Sequence, residues 1–246
     1  MIKEKFKRAR LRVIGEEVST EGVGGLSEKA IHKILKLTFE ENTACHEVKF
    51  LGSVADIKNE EGIIEIQTKD LFRLEGKISK FLPHSPVTVV IPLLREKYIR
   101  WIDTETGEIT EPRRSPRVDS VYTALYMLFP LVKFIGLEGF SVKLAFLSAD
   151  EYKRLDGWDK TKKRGASKSD KIPRELFEIA QLSSREDYGK YLPELEDIFL
   201  AKDFTKAVKL PSRKAYYALK LFEALGLVEE IGKKGKAIVY KKVCFQ

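Results

Sequence analysis

Apolar positions recur at helical spacing over Lys29–Phe39, where Ile31, Ile34, Leu35, Thr38 and Phe39 share one face. Ser27 is the expected N-cap of this helix, and Glu28 falls in its first turn. Three short apolar runs follow, at Cys45–Leu51, Val54–Lys58 and Ile63–Thr68. The polar turn Asn59–Gly62 between the last two predicts a β-hairpin. Asp70 is placed to cap a second helix, Leu71–Phe81, which ends before Pro83. Val87–Leu94 is β-branched and apolar and reads as a buried strand. The order is helix, three strands, helix, strand.

The pattern then loosens. Thr106-Gly107, between two alternating runs in Tyr98–Thr110, predicts another hairpin. Ser120–Phe134 reads as helical despite Pro130, Phe140–Leu147 as a strand, and Ser148–Leu155 as a short helix. Asp156–Lys171 is rich in charge, Gly and Ser and is the expected linker. Pro173 suits the first position of a helix running to Leu182. Toward the C-terminus come a short helix, Phe204–Val208, a turn at Leu210-Pro211-Ser212, and an amphipathic helix, Arg213–Leu225, stopped by Gly226. Two strand-like runs, Leu227–Ile231 and Ala237–Lys242, flank the basic glycine turn Gly232–Lys236. Met1–Gly25, basic and then polar, is expected to be a loose or partly ordered arm.

Composition narrows the class. The chain has 246 residues, 43% hydrophobic and 33% charged, enough for a core and too polar for a membrane protein. The longest apolar stretch, Val121–Leu137, carries Pro130 and Lys133 and is too short to span a bilayer. No apolar signal core follows the basic N-terminus, so a cytoplasmic location is expected. Cys45 and Cys244 lie far apart, and His32, His46 and His84 are scattered, so neither type suggests a zinc site or a disulfide framework. The net charge of +8 favours polyanionic partners, nucleic acid first. It is concentrated at 113–117, 160–164, 168–174 and 233–236.

The candidate chemistry lies on the first hairpin. Glu65 and Gln67 point to the same face of one strand, and Asp56 lies on the strand before it. If Asp56 pairs on that face, two carboxylates and an amide converge at one end of the hairpin. Such a pair suits a hard divalent cation, Mg²⁺ or Mn²⁺, and metal-assisted phosphodiester hydrolysis. An antiparallel sheet commonly has one wet face, so the same residues also fit a solvated surface. Ile63, Ile64 and Ile66 fit better with a strand that is apolar on more than one side. Glu28 is equally explained by the helix dipole, which favours acids in a first turn. Glu47, Glu60 and Glu61 read as solvated charge, and Trp101 as packed in its own hairpin with Arg113, Arg114 and Arg117 in water.

With these residues in these elements, Leu26–Leu94 resembles the PD-(D/E)XK nuclease superfamily, whose core runs αβββαβ. The resemblance matches Glu28 to the acidic helix position, Asp56 to the Asp, and Glu65-Ile66-Gln67 to the (D/E)-X-K tripeptide with Gln for Lys. It implies a metal held by Asp56, Glu65 and the Ile66 carbonyl, with Glu28 reaching it directly or through water. Gln67 would orient the attacking water but supplies no charge, and Lys69, two residues on, is the expected substitute. Residues 184–243 resemble a winged helix-turn-helix. On that resemblance Ser212, Arg213, Lys214, Tyr217 and Lys220 on the recognition helix, and Lys233, Lys234 and Lys236 on the wing, would contact DNA. Tyr216, Leu219, Phe222 and Leu225 read as core. Over its whole length the chain also resembles a set of prokaryotic proteins of nuclease-like fold, which adds no function.

The expected fold is therefore α/β, an αβββαβ restriction-endonuclease-like core with a mixed sheet, followed by an α+β winged helix domain. The expected domains are a basic arm at 1–25, a nuclease-like domain at 26–155, a basic linker and connecting helix at 156–183, and a winged helix at 184–246. The expected activity is Mg²⁺-dependent cleavage of DNA, with a homodimer plausible for cutting two strands. An inactive nuclease-fold DNA-binding or regulatory protein and a protein-interaction module are the alternatives.

Overall fold

The computed structural model describes residues 1–21, 29–103, 105–154 and 169–243. The expected cap Ser27, Glu28, Leu155 at the end of an expected helix, and residues 156–168 of the expected linker lie outside these. The fold is mixed α/β, with a mixed multistranded sheet and several helices. The larger sheet orders its strands β1-β2-β3-β4-β6-β7, with β5 paired to β4.

The expected core elements appear in order. They are α2 (Lys29–Phe39), β1 (His46–Phe50), β2 (Ser53–Asn59), β3 (Gly62–Ile66), α3 (Glu75–Phe81) and β4 (Val87–Ile102). α2 buries Ala30, Ile31, Ile34, Leu35 and Thr38, the face its periodicity marks. β2 and β3 are antiparallel, with Ile57 opposite Ile64 and Asn59 opposite Gly62. β3 and β4 are parallel, Ile63 opposite Val87 through Ile66 opposite Val90. A parallel neighbour needs a crossover, and α3 supplies it. Gly62 is fixed here on two counts. Its φ is +138°, and an added Cβ would meet the Pro86 carbonyl oxygen at 2.6 Å.

Several expectations are corrected. Residues 2–21 form a helix, α1, whose Phe6, Ala9 and Val13 are buried, so the basic run is not a loose arm. Asp70 makes no side-chain cap; it takes a left-handed φ of 58° ahead of a 3-10 turn, Leu71–Leu74, that leads into α3. Residues 148–154 continue β6 (Phe140–Arg154) instead of turning helical. Residues 169–182 form β7, not a connecting helix. Ile172, Leu176, Ile179 and Leu182 mimic helical spacing, but pairing in the sheet overrides it. β7 ends the strand order, and an edge strand tolerates Pro173, which has no N–H to pair.

The chain divides into two compact units, each made of three separate stretches of the sequence. The first comprises residues 1–48, 92–119 and 145–179. In it, Asp150 and Glu151 of β6 are almost buried. Asp150 pairs with Arg100 at 3.3 Å and Arg174 at 3.7 Å, and Glu151 with Lys97 at 2.9 Å. These partners explain why a charged segment is extended, since buried charge needs a counter-charge. β5 (Arg113–Arg114) pairs antiparallel to β4. Between them Gly107, at φ 75°, makes a tight turn, with Asp103 N–H donating to the Glu108 oxygen at 2.9 Å.

The second unit comprises residues 49–91, 120–144 and 180–246. In it α4 (Val121–Leu128) and a 3-10 turn, Phe129–Phe134, precede α5 (Arg185–Gly189), β8 (Ile198–Leu200), α6 (Ala201–Val208), α7 (Ser212–Ala224), β9 (Val228–Lys234) and β10 (Ala237–Lys242). The three strands form a sheet of order β8-β10-β9. Ser184 and Asp187 make a reciprocal capping box that starts α5. Phe204 packs edge-on to Phe222, and Phe199 stacks on Tyr240. Among the described residues no helix is long and apolar enough to cross a membrane.

Candidate functional site

The β2–β3 ladder runs from Asn59 opposite Gly62 to Ile57 opposite Ile64. One step further, the same register sets Asp56 against Glu65. There the Asp56 side chain takes over the role of a ladder partner, its Oδ2 accepting from the Ile66 N–H at 2.8 Å. Next on the chain, the Gln67 N–H bonds the Val90 carbonyl at 2.9 Å. Asp56 and Glu65 are thus held together on two adjacent strands, as the hairpin phase predicts.

Glu65 is 2% exposed. Its Oε2 meets Lys77 Nζ of α3 at 2.6 Å, while its Oε1 is buried with no hydrogen-bond partner. Burial first, and the neighbouring Asp56 charge second, push the Glu65 carboxyl from 4.5 up to about 7; Lys77 and the Asp56 backbone N–H pull the other way without cancelling this. A buried carboxyl with an unpartnered oxygen and a second acid beside it are the residues here that could hold a cation.

Lys77 is the residue that sequence reasoning misses. It lies in the first turn of α3, and its side chain is 27% exposed. Its direction is set by the burial of Ile78 and Phe81 on that helix, which local sequence did not tie to β3. Lys69, the expected substitute, is exposed, and its backbone oxygen accepts from Gln67 Nε2 at 2.5 Å. Gln67 is half-buried and keeps its amide oxygen for another donor. Ile66 is buried in β3. Glu28 lies outside the described residues. Among the described residues no group of three or more His, Cys, Asp or Glu side chains comes together, so the hairpin offers an acid pair and not a closed cage.

The second set of expected site residues divides. Ser212 and Arg213 are exposed at the start of α7, and Lys233, Lys234 and Lys236 are exposed around the β9–β10 turn. Lys214, also exposed, places its ammonium 4.8 Å from the centre of the Tyr126 ring of α4, and the half-buried Tyr217 packs on Phe129 at 5.6 Å. Lys220 is ion-paired with Glu223 at 2.6 Å and Glu230 at 3.4 Å. Tyr217 and Lys220 are therefore partly covered within their own unit. Leu219 and Phe222 are core as expected and Leu225 is half-buried, but Tyr216 is 47% exposed, which corrects its core assignment.

A family model described as a domain of unknown function, DUF8091, matches residues 29–183, more than half of the chain. The chain belongs to the DUF8091 family. The matched DUF8091 region contains Asp56, Glu65, Gln67 and Lys77 and ends just before α5. The chain is also 28% identical over 223 residues to an uncharacterised protein of Treponema pallidum (strain Nichols), a match covering 87% of this chain and 85% of that one. No solved structure matches.

Proposed function

We propose that this protein is a divalent-metal-dependent nuclease of the PD-(D/E)XK type that hydrolyses phosphodiester bonds in DNA. The observation that carries the reading is Glu65, buried, with one oxygen unpartnered and Asp56 beside it. The element order α2-β1-β2-β3-α3-β4, with β3 and β4 parallel, supports the αβββαβ core. Two carboxylates with a free oxygen fit Mg²⁺ or Mn²⁺, ions commonly held by one or two carboxylates with water and substrate phosphates completing the shell. Asp56 and Glu65 would hold the ion, with the Ile66 carbonyl the third protein ligand offered by the same strand.

When bound, the ion supplies polarisation of the phosphate and a more acidic water. The chain's own residues do the rest. Lys77, already at Glu65, brings the positive charge that Gln67 lacks and can turn its ammonium to a phosphate oxygen as negative charge develops. Gln67 is held by its bond to Lys69 and presents its amide oxygen to a water. Residues 184–243, read as a winged helix, support targeting to duplex DNA through helices α6 and α7 followed by a hairpin. On this reading the contacts come from Ser212 and Arg213 at the α7 start and Lys233, Lys234 and Lys236 on the wing.

A second reading, a nuclease-fold protein that binds DNA without cutting it, is favoured by the same Lys77–Glu65 pair, which neutralises one of the two acids. One experiment separates the two. Purified protein is incubated with duplex, single-stranded and branched DNA and with RNA, with Mg²⁺ or Mn²⁺. Cleavage by wild type, lost in Asp56→Ala and Glu65→Ala with folding intact, is expected. Lys77→Met is expected to abolish it too, and Gln67→Lys in that background to restore it in part. DNA binding without cleavage of any substrate selects the second reading.

A further inference from the structure

Residues 113–119 run back along β4 and are fastened to it repeatedly. Arg113 and Arg114 face Ile99 and Tyr98 in register. The Ser115 N–H bonds the Lys97 oxygen at 2.7 Å, and the Asp119 N–H bonds the Leu94 oxygen at 2.8 Å. Asp119 Oδ2 in turn accepts the Leu94 N–H at 3.0 Å. The Ser115 hydroxyl accepts from the Arg117 N–H at 3.2 Å. The backbone of this segment is set before any ligand arrives.

It encloses an open recess of about 480 Å³ lined by Arg95, Arg113, Arg114, Ser115, Pro116 and Val118. Three guanidinium groups line it and no carboxylate does. Arg95 is steadied over the Phe146 ring at 4.2 Å and pairs with Glu178 at 2.5 Å. Arg114, 67% exposed, pairs with Glu96 at 3.1 Å. Among the described residues Arg113 has no acidic partner. Three cations against two acids leave one positive charge. Each guanidinium has five N–H donors, so both paired arginines keep donors free for a second acceptor. Pro116 and the half-exposed Val118 form an apolar wall beside them.

We propose that this recess binds a phosphate group carried on a nucleotide unit, with Arg113 as its principal ligand. Arginine forks match phosphate oxygens two at a time, and the volume is that of a small-molecule site. The apolar wall suits the sugar or base attached to the phosphate. The proposal does not depend on the Asp56–Glu65 reading, because it concerns binding and not cleavage.

The test is calorimetric titration of the full-length protein without divalent metal, using inorganic phosphate, a nucleoside 5′-monophosphate and a short oligodeoxynucleotide. Arg113→Ala is compared with Arg113→Lys and with Arg117→Ala, which removes the same charge outside the recess. Arg113→Ala is expected to weaken binding about tenfold, Arg113→Lys to recover part of this as a point charge, and Arg117→Ala to change little. Competition by the monophosphate assigns the site to a terminal or free nucleotide phosphate, and binding of the oligonucleotide alone assigns it to a strand backbone. If none of the three ligands binds, or if Arg113→Ala and Arg117→Ala weaken binding equally, the recess is only solvated surface charge and the proposal falls.

Discussion

Glu65→Gln is expected to make the protein more stable at pH 8 and to remove a pH dependence that the wild type carries. The folded carboxyl titrates at about 7, against an ordinary 4.5, because burial and then Asp56 disfavour its charge. Between those values the folded chain holds a proton that the unfolded chain has released. Stability therefore falls as pH rises through that window and levels off above about 7. At about 1.4 kcal/mol per pH unit, the interval from 4.5 to about 7 amounts to roughly 3 kcal/mol. That is a large share of the 5–15 kcal/mol of net stability usual for a domain. Glutamine keeps the volume and has no charge to desolvate, and Lys77, 27% exposed, can turn to water. Urea denaturation of wild type and variant at pH 5, 6, 7 and 8 measures the difference, in which other titrating groups cancel. The variant's advantage should grow toward pH 7 and then hold. Mg²⁺ adds a second sign, since an ion held by the acid pair favours the ionised form and should recover stability at pH 8 in wild type only. A stability difference flat with pH, or one favouring wild type at pH 8, refutes the reasoning.

Two other predictions follow from separate parts of the chain. Gly62→Ala should cost about 2–4 kcal/mol, because its Cβ would overlap the Pro86 oxygen and its φ is one that alanine resists; a loss under about 1 kcal/mol in urea denaturation would contradict the backbone geometry. Replacing Lys233, Lys234 and Lys236 together with Ala should lower duplex DNA affinity and flatten its salt dependence by up to about three phosphate contacts, while Lys214→Ala should change the salt slope little; equal slopes for wild type and the triple variant would remove the wing from the DNA surface.

What the sequence discloses tracks the range of the forces involved. α2 is read to the residue, and β1–β3, α7 and β10 to within two, because a single buried face writes its period into the local sequence. α1 hides because its stripe of Phe6, Ala9 and Val13 is narrow and surrounded by Lys and Arg. The second half of β6 hides because Asp150 and Glu151 are tolerable inside only with Lys97, Arg100 and Arg174 as partners, which lie far from them in the chain. Charge in a strand carries no local sign of its partner.

The same limit governs the residues of the candidate sites. The proximity of Asp56 to Glu65 is legible because a two-stranded register, once its turn is placed, determines which residues come near each other. Lys77 is not, because a helix brings a side chain to a neighbouring strand only after its own apolar face, here Ile78 and Phe81, has fixed its rotation. α7 makes the point in reverse. Its polar residues look alike in sequence, yet Tyr217 packs on Phe129, Lys220 is held by two glutamates, and Arg213 and Lys214 remain exposed, Lys214 with its ammonium against Tyr126. Helical periodicity separates the buried face from the rest but does not say which part of the rest another helix covers. On the proposed DNA-binding reading the contact surface would be narrower than the basic residues of this unit suggest and would include the wing, where Lys233, Lys234 and Lys236 are all exposed.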